Sequence, residues 1–561
     1  MIISRNFRLL KEHYDTVIIG GGITGLSVAR ESAARGLKTL LLEKNDFGWF
    51  TSAATTKLIH GGLRYLENLE FGLVRESLKE RRIMGQSAPH LIRPLPIILP
   101  IYDYSRPGGF MLSIGLTLYN LLSYDRNRSV PEELRIPAAH RISKRDILHF
   151  APCLRDEGLK GGFVFYDYQS LRPERLALSF LKSAVHGGCA AFNHTVVENF
   201  IVNDSSERRA ITGLHVTDLL TGKKYTVTGR VFINCTGPYL DLLLEKLQKN
   251  PDARLQRSQG LHLLTEPVCG GYAVLHRNRE GRHFFVLPYM GASLIGPTDT
   301  PYGGLPDDLF PLYDDALNLL KDVNDFLSHP IGESEVRSVL AGIRPLVSSG
   351  KSTYRTSRKS EIYDHTESGI DGLYSVAGGK WTTSRALGES VMKQVIRHHF
   401  AHAPLSRFRS DREPLYGSPG FAVSSEDYIL NSLKERAIPG IDVGTHRHLI
   451  DLYGTEHTEI LKMILKNPSL GKKLDPISGD LIAQIHFAVQ NESACTLSDV
   501  LNRRLAIGTT GVPSDASIRM AAGVMAELLG WDRDRKGSEI RDFRHAETSM
   551  KNIRFRSGIE G

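Results

Sequence analysis

Paired cysteines, long apolar runs, internal repeats and low-complexity blocks are all missing from this 561-residue sequence. Its five cysteines, Cys153, Cys189, Cys235, Cys269 and Cys495, are odd in number, scattered and never spaced as CxxC. That excludes a disulfide-framed scaffold and a cysteine zinc site, and it points to a reducing compartment. The histidines are dispersed as well. Pairs such as His398/His399 and His446/His448 have no further ligands at usable spacing, so no metal is expected. The uncharged run between Arg106 and Asp125 opens on Pro and Gly, and only Phe110 to Leu122 is strongly apolar. It is too short to span a bilayer and reads as a helix, with burial favoured over a membrane-surface position. The opening segment MIISRNFRLLKEHYD carries charge too early for a signal peptide, so export is not expected.

What is present is enough chain for several domains or one large two-domain unit, with a net charge of +8 that favours anionic partners. Nucleic acid is excluded from these, because the basic residues form no groove-reading motif. An acidic small molecule and a lipid surface remain. YDTVIIGGGITGLSVARESAARGLKTLLLEK reads as strand, glycine turn, helix and strand, with a helix from Ile23 to Arg35 stopped by Gly36. A strand-rich middle follows. GLHVTDLLTGKKYTVTGRVFINCTG and HFFVLPYMGASLIGPTD both read as strands of an antiparallel sheet that roofs a ligand. GLYSVAGGKWTTSRALGESVMKQVIRHHF returns to strand, glycine turn and helix. The Pro-, Ser- and charge-rich stretch APLSRFRSDREPLYGSPG marks a boundary, after which six helical patterns end near Trp531. The expected fold class is α/β: a Rossmann-type domain interleaved with an antiparallel cap over residues 14–414, a helical domain over 415–535 and a mobile basic tail over 536–561.

Gly20-x-Gly22-x-x-Gly25 follows a buried strand, and Glu43 closes the next one. Such glycines let a pyrophosphate approach the helix N-terminus, and the carboxylate accepts ribose hydroxyls, which is the pattern of a dinucleotide site. Gly378 and Gly379 repeat the strand-turn-helix arrangement, so one nucleotide is gripped by both ends of a discontinuous domain. Lys57, His60, Arg64 and Tyr65 surround Gly61 and Gly62 in TTKLIHGGLRYLE, a cluster suited to an anion.

VIIGGGITG with INCTGP and SVAGGKWTT resembles the FAD-dependent oxidoreductases of the D-amino-acid oxidase superfamily. TTKLIHGGLRYLE, LIGPTDTPY, AGIRPLV and AGGKWTT are similar to its FAD-dependent glycerol-3-phosphate dehydrogenases, over roughly residues 14 to 535. The resemblance implies non-covalent FAD held by Gly20, Gly22, Gly25, Glu43, Thr56, Lys57, His60, Gly61, Gly62, Thr236, Gly237, Gly378, Gly379 and Thr382. It implies a substrate pocket with Arg64, Tyr65 and Thr298, beside Asp299, and a phosphate held by Arg344 and Arg358. His262 is the expected base, with Arg344 as the alternative acting on the alkoxide, and Lys380 compensates the charge of the reduced flavin. Two positions depart from the family: Leu261 stands where serine is usual, before His262, and Pro297 where threonine is usual.

The implied reaction is oxidation of sn-glycerol 3-phosphate to dihydroxyacetone phosphate, with electrons passed to a quinone. Oxygen as acceptor, another hydroxy-acid or amino-acid substrate, and a flavin-binding sensor with a degraded site are the alternatives. The expected location is cytoplasmic or peripheral on the inner face of the cell membrane. Ile2, Ile3, Phe7, Leu9 and Leu10 among Arg5, Arg8 and Lys11 are the candidate membrane seat. A homodimer is one option for assembly.

Overall fold

The computed structural model describes residues 2–550 apart from 11–12, 107, 205–208, 248–254, 279, 348–359 and 510. In chain order the elements that position the site are β1 (His13–Ile19), α1 (Ile23–Ala33), β2 (Thr39–Leu42), α2 (Phe71–Ser87), β3 (Ile92–Tyr102), α3 (Gly109–Leu122), β4 (Leu159–Ser170), α4 (Pro173–His186), β5 (Ala190–Phe192), β6 (Lys224–Asn234), β7 (Leu255–Thr265), β8 (Val336–Val347), β9 (Leu373–Ala377) and α5 (Ser384–His399). Among the described residues they belong to two sheets.

In the first sheet β9, β6, β1, β2 and β5 lie side by side and parallel, which is the order of a doubly wound nucleotide fold. Strands β1 and β2 are almost wholly buried apolar runs because helices cover the sheet: Ile18, Leu26, Leu41, Leu176 and Val391 share one core between it and α1, α4 and α5. The second sheet is largely antiparallel. Strands β3 and β4 pair along their whole lengths, and β7 pairs β8 from Leu255–Val347 to Thr265–Val336.

One expectation fails here. The hairpin of Arg209–Asp218 and β6 is part of the nucleotide sheet and does not roof the ligand, because β6 inserts between β1 and β9. Its burial shows why: exposure alternates near the turn but the last four residues, Val231 to Asn234, are all buried. The second segment, around His283–Tyr289 and Ala292–Gly296, does lie in the second sheet.

Two further expectations, on helix α3 and on the charged tail, are overturned. Helix α3 is not buried: Leu116 and Tyr119 face the protein, whereas Phe110 is 81%, Met111 57% and Leu121 66% exposed. In the N-terminal stretch Ile2 is 64% exposed while its neighbours pack on the protein. Ile3 is buried, Phe7 stacks on Tyr225, and Arg5 pairs with Asp218. The charged tail is also no tail over its first part.

After α5 the chain forms α6 (Ser425–Glu435), α7 (Val443–Tyr453), α8 (His457–Lys466), α9 (Ile482–Asn491), α10 (Asp515–Leu529) and α11 (Arg533–Met550). Helix α11 is held because Phe543 is buried with Met525 and Leu501, and Glu539 accepts the Leu497 N–H at 2.9 Å. Residues 551–561 of the expected tail lie outside the described residues.

Candidate active site

The turn after β1 is built so that a negatively charged group can approach the start of α1. Gly20 has φ of +102°, and a Cβ on Gly25 would stand 1.9 Å from the Gly20 carbonyl oxygen. Gly22 before α1 has no side chain to cap the helix; Ser52 Oγ takes one amide, the Ile23 N–H, at 2.9 Å, and Gly20, Gly22 and Thr24 wall a cavity of about 540 Å3. Free amides at a helix start, facing a cavity of that size, fit a pyrophosphate. Glu43 lines the same cavity while its carboxylate accepts N–H groups from Gly21 at 2.6 Å and Asn45 at 2.7 Å. Burial raises its pKa, and the two amides pull it back. Thr236 and Gly237 line the cavity beside Gly20, and Thr382 and Trp381 come from the segment before α5. Trp381 donates its indole N–H to the Ser52 carbonyl at 2.9 Å.

A second cavity, of about 650 Å3, lies under the second sheet, and the two share Thr51, Thr56, His60, Arg344, Gly378, Gly379 and Lys380 in their walls. That junction gathers positive charge. Arg344 on β8 reaches across to β7, donating to Ser258 Oγ and the Gln259 carbonyl, both at 3.4 Å, and beyond that strand to the Thr298 carbonyl at 2.9 Å. Its guanidinium lies flat on Gly260, where a Cβ would meet Nη2 at 2.2 Å, so only glycine admits the arginine. The Lys380 ammonium sits 3.8 Å from the Tyr65 ring centre and 3.2 Å from Ser77 Oγ, a cation–π contact that holds the charge over the cavity. Arg64, Tyr65, Thr298 and Asp299 also line the second cavity.

The histidines divide between the two cavities. His60 lines both, and burial lowers its pKa to about 4, with Asp167 raising it and Lys380 and Arg64 lowering it further. His262 lines the nucleotide-side cavity, where its Nε2 is 3.0 Å from Thr56 Oγ1 and its pKa is lowered to about 3 by burial and then by Arg344. Both rings are neutral at pH 7. Leu261 does not enter the site at all: strand alternation sends its side chain to the opposite face, into the core with Ile98 and Leu263.

Three expected cofactor residues are not in either wall. The Lys57 ammonium is buried in an ion pair with Glu174 at 2.8 Å. Gly25 packs the turn, and Gly61 lies where a Cβ would strike Leu78 and Tyr119. Arg358 lies outside the described residues. Sequence reading missed Asp167, which lines the second cavity and anchors its loop by accepting from Arg81 at 2.5 Å, Tyr119 at 3.0 Å and the Gly61 N–H at 3.0 Å. A lone carboxylate inside the apolar run GGFVFYDYQS was the available signal.

Comparison with known proteins agrees with this layout. Residues 15–393 match the sequence pattern of the FAD dependent oxidoreductase family, and residues 408–536 match that of the C-terminal domain of alpha-glycerophosphate oxidase. A glycerol-3-phosphate dehydrogenase of Synechocystis sp. is 34% identical over 96% of this chain and 97% of its own length. The chain belongs to the FAD-dependent glycerol-3-phosphate dehydrogenase family. A probable mitochondrial member from Dictyostelium discoideum is 30% identical over 94% of this chain and 83% of its own. The structure of a glycerol-3-phosphate dehydrogenase from Bacillus halodurans, complexed with FAD, superposes with a TM-score of 0.78 at 26% identity and 98% coverage of each chain. Membership of this family brings FAD as cofactor, and the glycine turn and helix start that wall the nucleotide-side cavity fit it.

Proposed function

We propose that this chain oxidises sn-glycerol 3-phosphate to dihydroxyacetone phosphate and delivers the electrons to a quinone. The observation that carries the substrate is the junction of the two cavities, where Arg344 and Lys380 flank a neutral His60, with Arg64 further along the wall. Guanidinium forks match phosphate oxygens in a bidentate way, so Arg344 and Arg64 hold the phosphate and orient the polyol. Arg358 is the further phosphate ligand that the family resemblance proposes. FAD, when bound, supplies the acceptor for the carbon-bound hydride. His60 takes the hydroxyl proton, because it lines both cavities; His262 lines the nucleotide side and keeps Thr56 in place. Lys380 offsets the negative charge that reduction brings to the site.

The other end of the second cavity supports a quinone as the acceptor. Leu66, Leu69, Phe71, Met111, Ile114 and Leu118 line it, so an apolar passage joins the cationic junction to the exposed face of α3. Such a face suits a membrane surface, where a quinone resides, and gives a hydrophobic acceptor a route that a small gas does not need. No helix among the described residues is long and apolar enough to cross a membrane.

The test is anaerobic. Glycerol 3-phosphate added to the flavin-loaded protein bleaches the visible flavin band, and glycerol and lactate do not. Bleaching by lactate and not by glycerol 3-phosphate overturns the substrate in favour of a carboxylate.

A further inference from the structure

The C-terminal helical domain sends a pair of consecutive arginines beneath the nucleotide site. Val500–Arg504 forms a π-helical turn, and this wide turn brings the side chains of both Arg503 and Arg504 onto one carboxylate, that of Asp46. Arg503 Nε lies 2.5 Å and Arg504 Nη2 2.9 Å from the Asp46 oxygens, and all three residues are buried. The guanidiniums are themselves fixed: Arg504 donates to the Glu492 carbonyl at 2.9 Å and Arg503 to Asp499 at 2.6 Å.

Asp46 is not in the cavity wall, but the segment that carries it is. Glu43, Lys44 and Asn45 line the nucleotide cavity, and Gly48 N–H bonds the Gly21 carbonyl at 2.9 Å, tying the segment to the glycine turn. The neighbouring segment is held from the same side. Asn193 Nδ2 bridges Asp46 Oδ1 and the Ser493 carbonyl, each at 2.9 Å, and His194 Nε2 lies 2.9 Å from Asp499 Oδ2. His194 and Thr195 then donate their backbone N–H groups to Asn45 and Glu43, both at 2.7 Å. Through Asp46, Asn193 and His194, the segment that begins at Glu43 is tied to residues 492–504.

We propose that this arginine pair is a clamp through which the C-terminal domain sets FAD affinity. Arg503 and Arg504 are positioning residues: they hold Asp46, Asp46 holds the segment Glu43–Gly48, and that segment shapes the ribose and pyrophosphate end of the cavity. Because binding free energies are reciprocal, FAD must in turn tighten the docking of residues 492–504, which do not touch the cavity.

The experiment uses full-length apo-protein, titrated with FAD and read by flavin fluorescence. Arg504→Lys, which removes the bidentate fork, and Asp46→Asn, which keeps the shape and removes the charge, each weaken FAD by about tenfold or more, the range of ordinary coupling between sites. At saturating FAD, KM for glycerol 3-phosphate and the rate of flavin bleaching stay at native values. Ser432→Ala, which breaks the buried Ser432–His457 hydrogen bond of 2.7 Å within the C-terminal domain, lowers stability and leaves FAD affinity unchanged. Amide exchange over residues 492–504 slows on FAD binding in the native chain, and the slowing is lost in Asp46→Asn. Native FAD affinity in folded Asp46→Asn overturns the clamp, as does an equal loss in Ser432→Ala. Since the primary readout is FAD binding, failure of the substrate assignment leaves this test intact.

Discussion

In the proposed reaction the base is one of two buried histidines, and their places in the sequence do not say which of them lines both cavities. His262 sits in a strand beside Leu261, and its environment looked deficient because a usual serine is missing. The structure supplies the polar partner from elsewhere, Thr56 at 3.0 Å, and turns Leu261 into the core. His60→Asn is expected to slow flavin bleaching by glycerol 3-phosphate by about 10²–10⁴-fold, the usual contribution of a general base. Stopped-flow bleaching under anaerobic conditions measures it. The pKa of about 4 for His60 means that the ring stays neutral, and able to accept a proton, down to acidic pH. Bleaching in the native protein should therefore be flat from about pH 8 to pH 6 and fall only as pH approaches 4, with no break near the ordinary histidine value of 6.5. Arg344→Lys keeps one charge but loses the fork; about 10- to 100-fold in kcat/KM is expected, from the 1.5–3 kcal/mol of a charge-assisted hydrogen bond.

At the scale of elements, helix α3 shows the limit of reading apolarity as burial. Its composition suits a core, yet only one side packs on the protein, through Leu116 and Tyr119 with Leu112 and Leu122 beside them, and Phe110, Met111 and Leu121 are left to solvent. Period alone cannot distinguish a helix covered on all sides from one that waits for a lipid surface. Replacing Phe110, Met111 and Leu121 together by serine is expected to abolish sedimentation with quinone-containing anionic vesicles and electron transfer to that quinone, while a soluble dye remains a full acceptor. Unchanged vesicle sedimentation counts against a membrane role for α3. Strand β6 shows the same limit for sheets: its outer half alternates like a surface hairpin, and its inner half runs at the centre of a parallel sheet. The continuous apolar run VFI was legible, but the alternating half beside it drew the reading toward the wrong sheet.

For the whole molecule, burial of neutral histidines sets a direction for acid sensitivity. His90 and His262 are fully buried, and each has its pKa lowered from 6.5 to about 3. The unfolded chain takes up these protons as pH falls below 6.5 and the folded chain does not, so stability is lost with falling pH until the folded pKa is reached. Each ring contributes about 1.4 kcal/mol per pH unit across that window. His194 acts in the opposite sense, because Asp499 raises its pKa and its contribution is lost as pH rises. Urea midpoints of the native chain should fall between pH 7 and pH 5, and His90→Gln should flatten that slope. An unchanged slope in His90→Gln removes this ring from the account.

Local sequence determined the βαβ turn, since glycines at fixed spacing after an apolar strand leave few conformations, and it determined the strand-to-helix return at Gly378 and Gly379. It also supplied the cations, because Arg64, Arg344 and Lys380 stand in segments whose wording resembles one family. Tertiary structure alone decided that Lys57 pairs with Glu174 away from the cavities, that His60 lines both of them, and that charged residues from Arg533 onward continue as a packed helix. It alone set Arg503 and Arg504 against Asp46, more than 450 positions away in the chain. The physical reason is the same in each case. A short segment fixes its own dihedral angles and the faces it offers, whereas a cavity wall or a buried ion pair is made where segments distant in sequence meet, and only their packing says which face is covered.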